Sequence, residues 1–443
     1  MLTRSFPPET VDEVVAAQGR TEQRSRLLPA RLVVYYVMAL ALFASEGYEE
    51  VMRQLVAGLA WTTRWRGTWR VPSSPAISKA RTRLGPAVLA ALFDRVCVPV
   101  AAPDTAGAFY RSWRLVAVDG TTFDAPDEAV NTARFGKPSN DQGTGAFPQV
   151  RVVALAECGT HAVFAAALAG ITTGEQDLLR RLLGKIGAGM LVLADRNFLG
   201  HQLWAAAAAT GADLLWRARS DTRLPVVTEL AEGSYLSYLA APGTRGRGQR
   251  ITVRVIEYTL ASSTSAYPHK AGEVYRLVTT ILDPDLAPAE DLAAAYAQRW
   301  EIESVLDEIK THQLQSRPVL RSRDPDGVEQ EIWGILLVHH AIRDLIHVSA
   351  RDAGLDPDRV SFTRALRAAR RQVTDQAGLS PSRLRRATRQ AVAELLERLN
   401  KRRRRHNPRV VRRTHRTPFA AKKPIDRHLV QPPPDLINIV GRA

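Results

Sequence analysis

The chain has 443 residues, of which 45% are hydrophobic and 24% are charged, a balance typical of a globular protein with two or three domains. Its two cysteines, Cys97 and Cys158, lie far apart, which excludes a disulfide framework or a CxxC zinc site and favours a reducing cytoplasm. The longest apolar run, from Leu32 to Phe43, is too short to span a bilayer. The first residues carry prolines and acidic side chains where a signal peptide needs an apolar run. We therefore expect a cytoplasmic protein without a membrane partner.

The net charge of +16 is concentrated at the C-terminal end. Residues 362–443 contain 22 Lys and Arg against 5 Asp and Glu, whereas the other 361 residues contain 39 and 40. This region includes five consecutive cations, namely Lys401, Arg402, Arg403, Arg404 and Arg405. Such a run cannot be buried, so it is either a solvated tail that aids solubility or a segment that binds a polyanion such as nucleic acid.

Residues 1–105 have the apolar spacing of helices and are predicted to form an N-terminal helical domain. Within it, Ser73 to Val96 predicts two helices joined at Gly85 and Pro86. This pair is either a helix-turn-helix that contacts DNA or a helical module that packs on its neighbour.

The pattern then changes to short apolar runs, in the order strand, strand, strand, helix, strand, helix, strand. The first run is predicted to end at Asp119 and a later one at Asp195. This order predicts a mixed α/β sheet with helices on both faces, as in a ribonuclease H-like fold. We expect this domain to span residues 110–345, with a β-rich insertion at about 220–288 before a helix that begins near Leu292. A basic helical region with the Arg-rich tail would occupy residues 346–443.

Two aspartates follow predicted central strands. Asp119 and Asp195 each come directly after a buried run, and a carboxylate in such a place needs a cation, a hydrogen-bond donor or a metal ion. Carboxylate oxygens are the usual ligands of Mg²⁺. Each motif alone is weak, because Asp-Gly is common in turns and the Asp195–Arg196 pair fits a local salt bridge.

A helix predicted from Leu292 to Leu314 supplies a third carboxylate. At about 100° per residue, four polar side chains fall within an arc of about 60° at the border of the apolar face. These four are Tyr296, Arg299, Glu303 and Lys310. Taken alone, this stripe fits a surface helix with pairs at a spacing of four residues.

The same helical wheel separates Glu303 from the other acidic residues of the segment. It points Glu301 and Glu308 to water and leaves Asp307 as the nearest rival carboxylate. Together with Asp119 and Asp195, Glu303 completes a set that can hold two Mg²⁺ or Mn²⁺ ions for phosphodiester chemistry. Arg299 and Lys310 would then hold substrate phosphates.

These residues carry a resemblance to a known family. Tyr296, Arg299, Glu303 and Lys310 match the Tyr-x2-Arg-x3-Glu-x6-Lys signature of DDE transposases from bacterial insertion sequences, in the insertion element four family. "VAVDGTTFDAP" and "VLADRNF" resemble the two Asp motifs of that family. The resemblance covers roughly residues 25 to 345.

The resemblance implies a metal-dependent DNA transposase that cuts transposon ends and joins them to target DNA, by cut-and-paste with a hairpin intermediate. Its partners would be double-stranded DNA, at the terminal inverted repeats and the target, and a second copy in a synaptic complex on the bacterial nucleoid. Tyr296, Arg299 and Lys310 would hold the phosphate of a flipped nucleotide. Tyr275 lies where the family has a tryptophan that stacks on the flipped base. Arg217 and Arg219 would contact phosphates, on grounds of charge.

Three alternatives compete with this interpretation. A catalytically inactive or domesticated DNA-binding relative is disfavoured because all three carboxylates are present. A haloacid dehalogenase-type phosphatase would need Asp-x-Asp-x-Thr after its first strand, and "DGTTFD" lacks it. A structural polyanion binder leaves Asp119, Asp195 and Glu303 unexplained.

Overall fold

The computed structural model describes residues 2–24, 27–58, 71–141, 143–241, 249–260, 274–315, 319–375, 381–400, 411–414, 417–419 and 437–441. These residues form two compact units. Unit 1 comprises residues 1–108, 119–182 and 302–400, and unit 2 comprises residues 109–118, 183–301 and 401–443. The three-domain division expected from the sequence stays a prediction.

Unit 1 is mainly helical. Its helices are α1 (Leu2–Ser5), α2 (Pro8–Ala17), α3 (Ala30–Leu42), α4 (Tyr48–Gly58), α5 (Ser74–Leu84), α6 (Ala87–Val96), α7 (Ala129–Phe135), α8 (Glu175–Leu182), α11 (Glu301–Asp307, whose first residue belongs to unit 2), α12 (Pro325–Asp352), α13 (Phe362–Asp375) and α14 (Pro381–Leu396). A π-helix, Glu308–Gln313, follows α11, and a 3-10 helix spans Pro357–Arg359. The predicted N-terminal helices are therefore present.

The core of unit 1 forms around two apolar helices. Every residue of α3 from Leu32 to Leu42 is buried, as its continuous apolar sequence predicts. The 28-residue α12 packs against α3, α6 and α13. The approach to α3 is close, because a Cβ added at Gly334 would lie 2.9 Å from the Val37 carbonyl oxygen. Only glycine allows the two backbones to pack at this distance.

Helices α5 and α6 meet at Gly85 and Pro86, as predicted. The Arg81 side chain is buried in α5, where it donates to the Gln330 amide oxygen at 3.0 Å and to the Tyr48 hydroxyl at 2.8 Å. Lys79 and Arg83 are exposed on the same helix. One cation of α5 therefore serves packing within the unit, while the DNA contact of this helix pair stays a prediction.

Unit 1 also contains short strands. These are β3 (Ser139–Asn140), β4 (Gly143–Thr144), β5 (Gln149–Glu157) and β6 (Val163–Gly170). β5 and β6 form an antiparallel hairpin through the Cys158–Thr160 turn. The second half of a longer strand, β2 (Trp113–Asp124), also belongs to unit 1, and β5 is its neighbour in the sheet.

Unit 2 is a sheet with few helices. Its strands are β1 (Phe109–Tyr110), the first half of β2, β7 (Met190–Ala194), β8 (Asp213–Arg217), β9 (Thr228–Glu229), β10 (Tyr235–Ala240), β11 (Arg250–Leu260), β12 (Tyr275–Thr279), β13 (Val411–Thr414), β14 (Thr417–Phe419) and β15 (Ile437–Ile439). Its helices are α9 (His201–Ala208), α10 (Ala289–Tyr296) and the 3-10 helices Leu183–Lys185 and Ala297–Trp300.

The strand order in unit 2 is β2-β7-β8-β12-β11-β10-β9. β2, β7 and β8 are parallel, whereas β12 joins β8 antiparallel. The predicted insertion thus extends the same sheet. A hairpin followed by parallel strands that alternate with helices confirms the predicted mixed sheet of a ribonuclease H-like fold.

Candidate active site

Two aspartates each follow a residue of the last parallel pair between β2 and β7. The pairing of β2 with β7 ends with Val118 opposite Ala194, and the next residues along the chain are Asp119 and Asp195. The Asp119 carboxylate accepts the N–H of Gly120 at 2.8 Å. The Asp195 carboxylate accepts the next N–H of its own chain at 2.7 Å. Each carboxylate is therefore oriented by its own backbone.

Strand β2 extends beyond its expected end. The strand does not stop at Asp119 but continues to Asp124, whose carboxylate accepts a hydrogen bond from the Gln149 amide at 2.8 Å. The Ala125 N–H donates to the Pro148 carbonyl at 2.8 Å. The strand is longer than expected because β5 supplies a partner for this half. What ends near Asp119 is the parallel pairing and the run of fully buried residues.

The predicted site residues divide between the units. Unit 1 contains Asp119, Glu303 and Lys310; unit 2 contains Asp195, Arg217, Arg219, Tyr275, Tyr296 and Arg299. The cations Lys401, Arg402, Arg403, Arg404 and Arg405 lie outside the described residues.

In unit 2, Tyr296 connects α10 to the end of β7. Its hydroxyl donates to the Ala194 carbonyl at 3.3 Å, directly before Asp195. The Arg299 guanidinium lies 5.9 Å from the centre of the Tyr296 ring. Both side chains are buried. The first two members of the signature are therefore assembled at the Asp195 strand end.

Burial raises the pKa of Tyr296 above its ordinary value. The positive charge of Arg299 counteracts this shift, and the negative charge of Asp195 adds to it. The hydroxyl therefore stays protonated through neutral and alkaline pH, which keeps it a hydrogen-bond donor.

Arg217 and Tyr275 lie together beside this cluster. The Arg217 guanidinium is 4.5 Å from the centre of the Tyr275 ring, a cation–π contact. Tyr275 also stacks on Tyr258, with ring centres 5.3 Å apart and an angle of 22°. Arg219 is exposed instead and pairs with Asp221 through two contacts of 3.1 Å.

Tyr258 was missed by the sequence analysis. It is buried, and its raised pKa reflects burial first and then the charges of its neighbours Tyr296 and Tyr275. The β11 strand is buried on both faces, and Tyr258 lies on the same face as the fully buried Arg254 and Ile256. The alternation of polar and apolar residues in "QRITVRVIEYTL" predicts only one buried face, so it gave no signal for this tyrosine. Its partner Tyr275 is opposite it in the β11–β12 register.

In unit 1, Glu303 lies in α11 at the edge of the buried face, between buried Ile302 and exposed Ser304. Asp307, the rival carboxylate, is exposed and accepts a hydrogen bond from the Thr311 hydroxyl at 2.7 Å. The border position predicted for Glu303 agrees with its partial burial.

The Lys310 side chain reaches the second half of β2. Its ammonium lies 5.7 Å from the centre of the Phe123 ring. Burial lowers the pKa of Lys310, and the neighbouring Asp124 carboxylate partly offsets this. Lys310 is thus held beside the strand that carries Asp119.

A fourth carboxylate lies near Asp119. A Cβ added at Gly120 would lie 2.4 Å from an oxygen of Glu175, the first residue of α8. Glycine at position 120 therefore allows the Glu175 side chain to approach the Asp119 motif. Glu175 could not be predicted from the sequence, because nothing in its local pattern connects it to β2.

The helix that carries the signature differs from the expectation. It was expected to be one helix with Glu301 and Glu308 in water, but both side chains are buried. The segment consists of α10, a 3-10 turn, α11 and a π-helix. A helical wheel of 100° per residue therefore does not describe the whole segment. The Glu308 side chain is buried because it contacts Arg343 and His339 of α12.

Two protein-family models match the chain. The family described as "Transposase DDE domain" matches residues 112–340, and "Insertion element 4 transposase N-terminal" matches residues 1–94. The chain belongs to the insertion element 4 family of DDE transposases.

The transposase is 28% identical over 426 residues to "Transposase InsG for insertion sequence element IS4" of Escherichia coli (strain K12). That match covers 94% of this chain and 92% of the relative. "Putative transposase InsZ" of the same strain is 23% identical over 246 residues, which is 55% of this chain and 77% of the relative. A piggyBac transposase, solved by cryo-EM as a synaptic complex with hairpin DNA, matches at 13% identity. The match covers 88% of this chain and 84% of the piggyBac chain, with a TM-score of 0.43.

Membership in the DDE transposases implies dependence on a divalent metal ion. Asp119, Asp195 and Glu303 each offer the carboxylate oxygens that hard divalent cations prefer, and their joint role as ligands stays a prediction. Within the described part of the chain, no helix is both long and apolar enough to cross a membrane.

Proposed function

We propose that this transposase cuts double-stranded DNA at the terminal inverted repeats of its own element and joins the freed ends to target DNA. Asp119, Asp195 and Glu303 would hold two Mg²⁺ or Mn²⁺ ions. The observation that supports this most directly is the register of β2 and β7. Val118 pairs with Ala194, and each is followed by an aspartate.

The proposed reaction has two phosphoryl-transfer steps. In cleavage, a water oxygen attacks the phosphorus, the bond to the 3′ oxygen breaks, and that oxygen takes up a proton to become a 3′-hydroxyl. In strand transfer, the 3′-hydroxyl oxygen attacks a target phosphodiester, so one ester bond forms as another breaks. When bound, divalent ions increase the acidity of the attacking water or hydroxyl and stabilise the leaving oxygen. A hairpin forms if the 3′-hydroxyl first attacks the opposite strand.

The cations of the signature would hold the DNA backbone. Arg299 offers a planar fork for two phosphate oxygens, and Lys310 offers a point charge. The Tyr296 hydroxyl would hold the end of β7 through its hydrogen bond to the Ala194 carbonyl, and its ring would lie beside the bound phosphate. These roles fit phosphate binding because Arg299 lies four residues before Glu303 along the chain and Lys310 lies seven residues after it.

The neighbouring aromatic residues fit a base taken out of the duplex. Tyr275 has a stacking face, and Arg217 already lies over its ring. An aromatic ring holds an unpaired base by stacking, worth about 1–3 kcal/mol. A flipped base would therefore replace or share the Arg217 contact.

The remaining parts of the proposal concern assembly and charge. Arg219 and the run from Lys401 to Arg405 would contact phosphates outside the active site, because five adjacent cations gain affinity by releasing counterions from DNA. Two ends must be brought together before they are joined, so we propose a homodimer in a synaptic complex, acting on the nucleoid in the cytoplasm.

Single substitutions test the carboxylates. With a duplex that carries the element's own terminal repeat, Asp119→Asn, Asp195→Asn and Glu303→Gln should each abolish nicking but keep gel-shift affinity. Asp307→Asn is the matched control, since it removes an exposed charge four residues from Glu303 on the same helical segment. If Asp307→Asn is inactive and Glu303→Gln is active, the third ligand is misassigned. A wild-type chain that binds ends and never nicks them would indicate an inactive DNA-binding relative.

A further inference from the structure

A π-helix begins between two residues of the signature, Glu303 and Lys310, and contains the second of them. α11 carries Glu303 and ends at Asp307, and the π-helix from Glu308 to Gln313 carries Lys310. Its wider turn is seen in the bond from the Leu314 N–H to the Ile309 carbonyl at 2.9 Å, five residues back. Such turns are rare and frequently occur at functional sites. The turn changes the direction in which Lys310 points relative to Glu303.

Both ends of the π-helix are bonded to α12. At its start, the Glu308 carboxylate accepts from Arg343 Nε at 2.9 Å and contacts His339 Nε2 at 3.1 Å. A second bond joins Arg343 to the other Glu308 oxygen. At its end, the Gln313 amide donates to the Ile335 carbonyl at 3.0 Å. The three partners are spaced by four residues, so they form one face of α12.

This attachment is buried. Glu308 is 9% exposed, Gln313 and His339 are fully buried, and Arg343 is 2% exposed. Removal of one partner of a buried ion pair leaves the other charge uncompensated, so such a pair strongly resists rearrangement. Arg343 is itself fixed by a contact of 2.6 Å with His161 Nδ1.

Lys310 lies between the two attachment points along the chain, and its side chain reaches β2. Its ammonium is over the Phe123 ring and near Asp124, at the end of the strand that carries Asp119. A residue whose two flanks are bonded to a rigid helix has few positions available. The bonds to α12 therefore determine where the ammonium lies.

We propose that Glu308 is a positioning residue for catalysis: with Arg343 and Gln313 it holds the π-helix so that Lys310 lies in its phosphate-binding position relative to Glu303. This rests on the proposed function, in which Lys310 binds a phosphate of the DNA end. Glu308 acts through Lys310 and contacts no reacting atom.

A double-mutant cycle tests this dependence. Single-turnover nicking of a pre-bound end is measured for Glu308→Gln, Lys310→Ala and the double variant. Each single change should slow nicking by about 10- to 100-fold. Glu308→Gln would misplace the Lys310 ammonium by about 1 Å, which has an effect of this size, and Lys310→Ala would remove the phosphate contact itself. The double variant should be no slower than Lys310→Ala, since a positioning residue has no effect without the group it positions.

A matched control separates positioning from general stability. Glu157→Gln also removes a buried carboxylate charge, one that accepts from the N–H groups of Val100 and Ala101. Glu157→Gln should lower the midpoint of thermal unfolding. Its effect on the nicking rate should add to that of Lys310→Ala. Gln313→Leu is the second test variant and replaces Glu308→Gln if that protein does not fold. It removes a neutral hydrogen bond, which is less disruptive than the loss of a buried charge.

A readout independent of activity is the acetylation rate of Lys310, followed by mass spectrometry. Both Glu308→Gln and Gln313→Leu should raise it several-fold at full gel-shift affinity, while Glu157→Gln leaves it unchanged. Additive effects of Glu308→Gln and Lys310→Ala on nicking, or an unchanged acetylation rate, overturn the inference alone. Wild-type nicking by Lys310→Ala overturns both this inference and the phosphate role of Lys310. Absence of nicking by the wild-type chain overturns the proposed function.

Discussion

Tyr296→Phe removes one hydroxyl and keeps the ring. In the folded chain that hydroxyl donates to the Ala194 carbonyl at 3.3 Å and is buried. Loss of the donor leaves a buried acceptor with one bond fewer, which costs about 1–3 kcal/mol. For units of this size, each kcal/mol lowers the melting temperature by about 2–4 °C. We therefore expect a moderately destabilised protein that is folded at 25 °C.

The functional consequence follows from the position of Ala194, directly before Asp195. If the Tyr296 hydroxyl holds this strand end, the substitution displaces the Asp195 carboxylate and slows nicking by up to about 100-fold. Tyr35→Phe is the matched control, because its buried hydroxyl donates to the Phe6 carbonyl at 2.6 Å in unit 1. Both variants should melt earlier in thermal denaturation followed by circular dichroism, and only Tyr296→Phe should nick slowly at 25 °C. Equal nicking by the two variants would refute the reasoning.

Three further predictions concern packing, pH and salt. Gly334→Ala brings a methyl group against the Val37 carbonyl at 2.9 Å and should cost about 1–3 kcal/mol, whereas Gly184→Ala, with nothing within 4 Å, should be nearly neutral in urea unfolding. Burial, followed by the neighbouring His340, lowers the pKa of His339 to about 3. Below about pH 6.5 the unfolded chain binds a proton that the folded chain does not, so stability should fall toward pH 3, by up to about 1.4 kcal/mol per pH unit; His339→Gln should flatten this fall, and an unchanged profile would exclude it as a cause. Replacement of the four arginines 402–405 by glutamine should reduce the salt slope of end binding by about 0.9 per lost phosphate contact, and an unchanged slope would remove the tail from the interface. Substitution is preferable to truncation there, because β15 pairs with β11.

Local patterns were sufficient for much of the fold. The buried run Leu191–Ala194 ends directly before Asp195, and the hairpin of β5 and β6 follows from two apolar runs around a turn. These features depend on neighbours in the sequence. The signature from Tyr296 to Lys310 could be found for the same reason, since it is a fixed spacing within one segment.

Long-range partners account for what could not be predicted. Glu308 is buried because Arg343, 35 residues later, supplies the opposite charge, and a helical wheel contains no information about that partner. β2 continues past Asp119 because β5 is beside it. Glu175 approaches the Asp119 motif only through the fold around Gly120. In each case the deciding contact joins segments that no local pattern connects.

The most direct test of the account is a change of metal specificity. Asp119→Cys, Asp195→Cys and Glu303→Cys replace a carboxylate, which suits Mg²⁺, by a thiolate, which favours softer ions. Each variant should fail to nick the transposon end in Mg²⁺ and recover nicking when Mn²⁺ or Cd²⁺ is supplied, while Asp307→Cys behaves like wild type in all three. The assignment of the metal ligands would be contradicted if Glu303→Cys kept full nicking activity in Mg²⁺ while Asp307→Cys lost this activity and regained it with Mn²⁺ or Cd²⁺.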